Sequence, residues 1–485
     1  MNQQIEKFQL RNWELVSINP NKRNWHRSDY FSYWAVTIQS IIGFSLIASL
    51  YLLYDLNSII VLSGCLIAVL LVFIFTTIVG KISQTSGLPF PVILRLSMGF
   101  NGARYIGMIR GLVGIFMFGV QTFFISKSLG YLFRIILYQI DNQILNNEYL
   151  LIFFFALNPL DWFSLLITLL FQLYLFSKGP ESNRIFIKFS AYFIYFGLIL
   201  FLFFIISENY NEVVNSLMLS TVIENAISKK NIFPLISVTG TMFAYFSILI
   251  VSFGDFSRYA KNKKEMNIGN FTIILNLIIF SFFAILLTIG SDIILTKNSI
   301  SVEQLLTNPN DIIAKFNNSV LTVFSLIFIL VSMISSNLIA NYIPSQNALI
   351  NFLPNSLNLN KAGYVIILLG LVFGGFWLSI FNQSGFLSMF DSLTAFFGPI
   401  FGIVIADYYL IKGEKINHKE LFYPKESTEY IYSSGWNYKA IFSLIIGFIF
   451  SISTIWNPSL SQLETFGWII GAFFSFVLYY FLNND

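Results

Sequence analysis

Apolar runs of about 20 residues, the length a helix needs to cross a hydrocarbon core, recur from end to end of this 485-residue chain. They fall near 29–54, 56–80, 107–130, 158–177, 185–207, 232–253, 268–295, 319–343, 362–381, 386–411, 438–457 and 463–482. Only 11% of the residues are charged and 56% are hydrophobic, against about 25% charged in an ordinary soluble domain. The expected fold class is therefore an all-α integral membrane protein with twelve transmembrane helices, multi-pass in a plasma membrane or bacterial inner membrane.

Charge placement orients the spans. With both termini cytoplasmic, 22 of the 28 lysines and arginines fall on the inner side, as the positive-inside rule requires. The outer segments keep Lys127, Arg134, Lys229, Lys230, Lys297 and Lys315, beside acids such as Glu208, Glu212 and Glu224. The net charge of +4 is thus orientation charge and calls for no nucleic-acid partner. Residues 1–28 are polar and basic, without the short apolar core of a cleaved signal, and read as a cytoplasmic tail. The stretch 131–157 reads as an external, partly helical connection, with a shifted fourth span as the alternative.

Several chemistries are excluded by what the chain lacks. A single cysteine rules out a disulfide framework, and two histidines, His26 and His418, both in hydrophilic segments, leave little for a metal centre. No phosphate-binding loop, dinucleotide fingerprint or zinc-protease motif occurs, so neither an enzyme nor an ATP-driven pump is expected. The longest hydrophilic insert, 412–437, is too short to bury a core of its own. The stretches 208–231 and 296–318 are loop-sized. One transport core over 29–411 follows, flanked by the tail 1–28, the cytoplasmic loop 412–437 and two further helices in 438–485.

Function is then sought in polar groups inside the spans, which lipid cannot satisfy. Span 1 carries Gln39 and Ser40 near its middle, followed by Gly43, where backbone can unwind. In span 3, Arg110, Gly114, Met117, Gln121 and Phe124 recur at helical spacing and form one stripe facing the bundle interior. Span 6 holds Thr239, Gly240 and Thr241 and closes on Asp255 and Arg258. In span 8, Ser332, Ser335 and Ser336 stand at i, i+3 and i+4, followed by Asn337 and Asn341. Such neutral oxygens suit a hard cation of modest charge. Taken singly, each serine, threonine or asparagine reads more readily as a bond to a neighbouring helix or to its own i−4 carbonyl, and Gln121 reads either way; convergence across four spans favours a site.

Five ordered stretches carry a family resemblance: "NPNKRNWHRSDYFSYWAVTIQ", "SGLPFPVILRLSMGFNGARYIGMIRGLVGIFMFGVQTFF", "GDFSRYAK", "SSNLIANYIPSQNAL" and "GPIFGIVIADYYLIKGEKI". Together they resemble the nucleobase:cation symporter-1 family, whose members carry hydantoins, allantoin, uracil, cytosine and other purines or pyrimidines. The resemblance implies a leucine-transporter-like fold with a 5+5 inverted repeat (about 29–207 and 232–411) plus two C-terminal helices. Helices 1 and 6 are interrupted in that fold, and ligands bind at the breaks. By position, Gln39, Gln121 and Asn341 match substrate-binding amides, which complement the N–H and C=O edge of a cyclic ureide or base. Ala35 and Ile38 supply carbonyls, and Ser332, Ser335 and Ser336 small or hydroxyl positions, for a coupling cation. Asp255 and Arg258 are expected to contribute to inner gating.

Departures from the family pattern bear on the ligand. The two tryptophans that stack the substrate ring in relatives are Met117 and Phe246 here, and Tyr245 stands where a glycine is usual. Phe116, Phe118 or Phe243 could compensate through a slight helix rotation. The resulting expectation is a secondary active transporter importing a small neutral N-heterocyclic compound with Na+, no organic cofactor, and a monomer in the bilayer. Spans 1, 2, 6 and 7 rock against 3, 4, 8 and 9, with span 10 bending near Gly385, Ser388 and Gly398. The alternatives are proton coupling, a passive facilitator of the same fold, or a transporter-like sensor with an altered ligand.

Overall fold

The computed structural model describes residues 13–54, 57–223, 228–297, 319–382, 392–422 and 428–484, together with Thr307, Pro309, Ile312 and Ile313. The chain is helical almost throughout. Its outer surface is apolar, with Leu170, Phe189, Phe196 and Phe203 among the large side chains left exposed. Water would not tolerate such a girdle, whereas lipid does.

Span 1 is two helices, α1 (Arg27–Ile38) and α2 (Ile41–Leu53), bent by 60° across Gln39 and Ser40. α3 (Ser58–Ser86) follows, then α4 (Phe90–Ile140), which kinks at Gly99 and is far longer than the third span expected from apolar length. Residues 131–140 continue that helix, and short helical turns carry the chain to α5 (Pro159–Phe176) without an extra span. α6 (Pro180–Ser220) runs on past a kink at Asn209, so much of the stretch read as loop is helix. α7 (Lys229–Ser252) and α8 (Lys263–Lys297) complete the next pair.

Span 8 is α9 (Ser319–Asn337), a π turn over Leu338–Tyr342, and α10 (Ile343–Phe352). α11 (Leu359–Gly375), α12 (Phe397–Ile405, extended by a π turn to Ile411), α13 (Tyr438–Trp456) and α14 (Gly467–Asn484) finish the chain. Among the described residues ten helices are long and apolar enough to cross a membrane, and the broken pair of span 1 makes an eleventh. The expected ninth span is a helix of 17 residues, shorter than the others. Gly385 and Ser388, proposed to bend span 10, lie outside the described residues.

The helices pack as two blocks. α8 packs on α1 and α3, and α3 on α7; α4 packs on α5, α9, α10 and α11. Each block has an asparagine hub. In the first, Trp34 Nε1 donates to Asn270 Oδ1 (3.0 Å), and Asn270 Nδ2 donates to Thr76 and Thr77 hydroxyls (3.0 and 2.7 Å), tying α1, α3 and α8 together. In the second, Asn337 Nδ2 donates to Gln172 Oε1 (2.9 Å) and Thr122 Oγ1 (3.2 Å), tying α9, α5 and α4. Buried amides satisfied in this way hold helices in register where apolar packing against lipid cannot. α13 and α14 pack on each other and on α12.

Candidate functional site

The break in span 1 sits between the two blocks. Ile38 ends α1, Gln39 turns away from helical geometry (φ −79°, ψ 53°), and Ser40 is extended (φ −100°, ψ 157°). Ser40 caps α2 by accepting from the Gly43 amide at 3.0 Å, the usual use of serine at a helix start. Gly43 is required there: a Cβ would lie 2.8 Å from the Ile38 carbonyl oxygen. The anticipated unwinding thus falls at Gln39–Ser40, and Gly43 permits it.

Hydroxyls from both blocks hold the break. Tyr245 Oη lies 2.8 Å from Ser40 Oγ, and Ser332 Oγ donates to the Gln39 carbonyl. An open backbone carbonyl in a bilayer costs several kcal/mol by order of magnitude, so Ser332 compensates the broken helix directly. Tyr245 also bears on the second expected interruption. α7 is continuous through the middle and breaks only at Phe253, near its end. Tyrosine rather than glycine at 245 favours helix at that position by roughly 0.5 kcal/mol in propensity alone.

The amides are divided. Asn341, inside the π turn, donates to Gln121 Oε1 and Asn337 Oδ1, each at 2.9 Å; Gln121 Nε2 donates to Ser336 Oγ (2.7 Å) and the Met333 carbonyl (3.1 Å). The structure therefore joins Gln121 and Asn341 in one network that runs on to Asn337, Gln172 and Thr122. Gln39 stands apart. Its carboxamide is buried outside that network, next to the Tyr195 hydroxyl, which donates to Asn276. With Ser40, Phe44, Phe201, Phe280 and Ser332 it lines a cavity of about 90 Å³ whose walls do not include Gln121 or Asn341.

The polar members of the span 3 stripe, Arg110 and Gln121, face the bundle interior, where they meet span 8. Arg110 is buried and donates to Ser252 Oγ (2.7 Å) and the Ala340 carbonyl (2.5 Å). Gly114 lets the two helices meet, since a Cβ would fall 2.2 Å from Ser345 Oγ. Met117 and Tyr245 remain partly exposed, while Phe246 is buried with its ring 4.9 Å from that of Tyr245. Phe116, Phe118 and Phe243 do not substitute for the missing indoles. All three are fully buried, against Phe373 and Trp377, Tyr342, and Phe75 and Trp468 respectively.

The cation positions lie on α1 and α9. The Ala35 and Ile38 carbonyls accept from the Gln39 and Ser40 amides at 3.0 and 2.8 Å, leaving each one lone pair. Ser335 donates to the Val331 carbonyl (2.7 Å) and Ser336 to that of Met333 (3.2 Å), so both hydroxyls spend their proton on their own helix. Among the described residues no cluster of histidine, cysteine or acidic side chains could hold a metal.

At the basic end, Asp255 Oδ1 accepts from the Phe90 amide at 3.1 Å, and Arg258 donates to the Glu14 carbonyl and Tyr259 hydroxyl, each at 2.9 Å. The two gating candidates do not pair with each other. Burial pushes the Asp255 carboxyl up to about 6, against the opposing effect of Arg258 and the Phe90 amide. Sequence reasoning missed the strap formed by residues 13–25. Ile18 donates to the Gly87 carbonyl and Trp25 to that of Tyr259, both at 3.0 Å, and Leu15 is fully buried. Its signal was the set of apolar residues scattered through the basic tail, Trp13, Leu15, Val16, Ile18 and Trp25 among them.

Two helix blocks with a broken helix between them define a membrane transporter of the leucine-transporter type. The chain belongs to the family of permeases for cytosine/purines, uracil, thiamine and allantoin, whose model matches residues 17–482. It is 25% identical to an allantoin permease of Bacillus subtilis (strain 168) over 98% of this chain and 94% of that one. It is 26% identical to the purine-uracil permease NCS1 of Arabidopsis thaliana over 75% and 58%. Among solved structures it shares its fold with Mhp1, a nucleobase-cation-symport-1 family transporter, in a closed conformation with bromovinylhydantoin bound (TM-score 0.72, 16% identity, 97% and 94% covered). Inward-facing Mhp1 matches almost as well (TM-score 0.70, 15% identity, 98% and 94% covered). A Na+-coupled sialic acid symporter matches at 0.63 (13% identity, 96% and 91% covered). The resemblance read from the five motifs is thereby established, and the chain is a permease, not an enzyme.

Proposed function

We propose that this protein imports a small neutral N-heterocycle, an allantoin-, hydantoin- or nucleobase-like compound, by sodium symport with alternating access. The observation that carries the reading is the break of span 1 at Gln39–Ser40, held between two separately knit helix blocks. Its residues touch both: Tyr245 in the first block, Ser332 in the second.

Substrate recognition falls to groups with open valences. The Gln39 carboxamide lies at the break beside the Tyr195 hydroxyl, and both Asn341 amide protons are taken up by Gln121 and Asn337, which leaves Asn341 to act through its carbonyl oxygen as an acceptor. A cyclic ureide presents the matching donor and acceptor. The cavity beside Gln39, at about 90 Å³, falls below the range of small-molecule pockets, so substrate entry needs the blocks to part. Met117 and Tyr245 supply polarizable and aromatic surface in place of paired indoles. The substrate accordingly relies on its polar edge more than on ring stacking.

Sodium suits the cation positions because they are neutral oxygens. Residues 30–53 of span 1 and 319–343 of span 8 contain no acid or histidine, so a proton has no ordinary carrier at the break. Sodium bound to the Ala35 and Ile38 carbonyls and the Ser335 and Ser336 hydroxyls would join the two blocks. Coupling then arises because both ligands favour the same conformation. The basic end of the bundle is the cytoplasmic side in this reading, with both termini there.

The test is thermal unfolding of the purified protein with allantoin, uracil, hypoxanthine and benzylhydantoin, each with and without sodium. A ligand of the folded form raises the midpoint by mass action. One compound is expected to raise it, and more so in sodium. Stabilisation equal in sodium and potassium would overturn sodium coupling.

A further inference from the structure

At the basic end of the bundle an open groove of about 460 Å³ lies among α3, α8 and α12. Its walls are α3 over 77–81, Lys263 and Asn267 at the start of α8, and Ile405 and Tyr409 at the end of α12. The seam between α3 and α12 is pinned beside it. Tyr409 Oη donates to the Ile78 carbonyl at 2.8 Å, and Lys81 pairs with Glu414 at 2.6 Å.

Two lysines and, among the described residues, no acid line the groove. Lys81 spends one of its three ammonium protons on Glu414 and lies 5.2 Å from the centre of the Tyr409 ring, so it is held in place with donors left over. Lys263 is exposed and forms no ion pair with an acid among the described residues. Glu265, the acid closest to it in sequence, is turned to the start of α1, where it accepts from the Arg27 amide at 2.8 Å. Thr77 Oγ1 accepts from Asn270 at 2.7 Å and has its own proton to donate.

One turn further from the basic end the same two helices are apolar and uncovered. Ile74 stands four residues before Ile78 on α3 and Phe271 four residues after Asn267 on α8, and both are exposed. Because α3 and α8 run in opposite directions, each step leads from the groove towards the middle of the bilayer. The Phe271 ring lies 5.7 Å from that of Phe73, which closes the floor between the helices. Cations at headgroup level with exposed apolar surface beneath them match one kind of ligand, a lipid with a negative headgroup.

We propose that this groove binds one anionic phospholipid, of the phosphatidylglycerol kind, from the leaflet at the basic end. Lys263 and Lys81 donate to its phosphate, the Thr77 hydroxyl adds a neutral donor, and the acyl chains run over Ile74 and Phe271. The lipid fills the seam between α12 and the block that contains α3 and α8. The site stands apart from the span 1 break and does not depend on which solute is carried there.

The experiment is native mass spectrometry of the purified full-length chain, titrated in detergent with phosphatidylglycerol or with phosphatidylcholine of the same acyl chains. It compares wild type, Lys263→Gln and Lys264→Gln; Lys264 is the neighbouring exposed lysine and does not line the groove. The second measurement is the unfolding midpoint of the same proteins with either lipid, and with glycerol 3-phosphate alone. Wild type and Lys264→Gln are expected to bind a first phosphatidylglycerol at least fivefold more tightly than phosphatidylcholine. Lys263→Gln weakens that first equivalent about fivefold, the worth of one lysine at an anionic lipid surface, and leaves phosphatidylcholine unchanged. Phosphatidylglycerol raises the midpoint of wild type and Lys264→Gln more than that of Lys263→Gln. Equal affinity for the two lipids, or equal losses in Lys263→Gln and Lys264→Gln, overturns the site and leaves only diffuse surface charge. Stabilisation by glycerol 3-phosphate as large as that by the lipid overturns it as well, since the ligand would then be a soluble anion.

Discussion

The Tyr245 hydroxyl lies 2.8 Å from Ser40 Oγ, joining the middle of α7 to the residue that starts the second half of span 1. One tyrosine therefore acts twice: its backbone keeps α7 helical, and its side chain restrains the break in the facing helix. Tyr245→Phe keeps the ring and removes the bond. Loss of one hydrogen bond is worth about 0.5–1.5 kcal/mol, so apparent substrate affinity is expected to shift two- to tenfold with little change in expression. Unchanged affinity in an uptake or binding titration would show that the contact does not restrain the break.

Ser332 donates to the Gln39 carbonyl and so links the two blocks through a hydroxyl. In Ser332→Ala that carbonyl is left to the cation or to nothing. Sodium should then stabilise the variant more than the wild type, with the variant less stable by about 1–3 kcal/mol in its absence. Melting curves over a sodium titration decide this; parallel curves for the two proteins would count against it.

Asn337 is the hub of the second block, donating to Gln172 and Thr122 and accepting from Asn341. Asn337→Leu strands buried acceptors and frees Asn341 to reorient. A loss of roughly 1–3 kcal/mol and weaker ligand binding are expected together. Unfolding midpoint and binding affinity measured on one preparation test whether the two losses coincide.

Asp255 titrates near 6 in the folded protein because burial disfavours its charge. A carboxyl raised above its unfolded value contributes stability below about pH 4, and that contribution fades as pH rises through about 6. Asp255→Asn cannot ionise, so its midpoint relative to wild type should rise between pH 5 and pH 7.5. A constant difference over that interval would place the ionisation elsewhere.

The spans were legible because a bilayer imposes a length on apolar runs, and the break was legible in Gln39, Ser40 and Gly43 because polar atoms in lipid need a reason. The stripe from Arg110 to Gln121 also followed from spacing, since its polar members mark one face. What spacing cannot give is the rotation of helices that are apolar all round. Phe116, Phe118 and Phe243 were plausible ring-stacking groups on paper and are instead packed on other helices. The π turn that carries Asn341 leaves no mark in residue type. The length of α4 was hidden for a different reason: polar residues over 95–104 resemble a loop, yet apart from the kink at Gly99 they are helical, and they pack against the 428–437 segment and α10.

Sodium-driven accumulation tests the central claim most directly. The purified protein would be reconstituted in proteoliposomes and given the labelled compound that stabilises it, with an inward sodium gradient or with equal sodium on both sides. The account predicts transient accumulation above the external concentration only with the gradient, and slower entry in Ser335→Ala and Ser336→Ala. Entry that stops at equal concentrations, at one rate with or without the gradient, would contradict it.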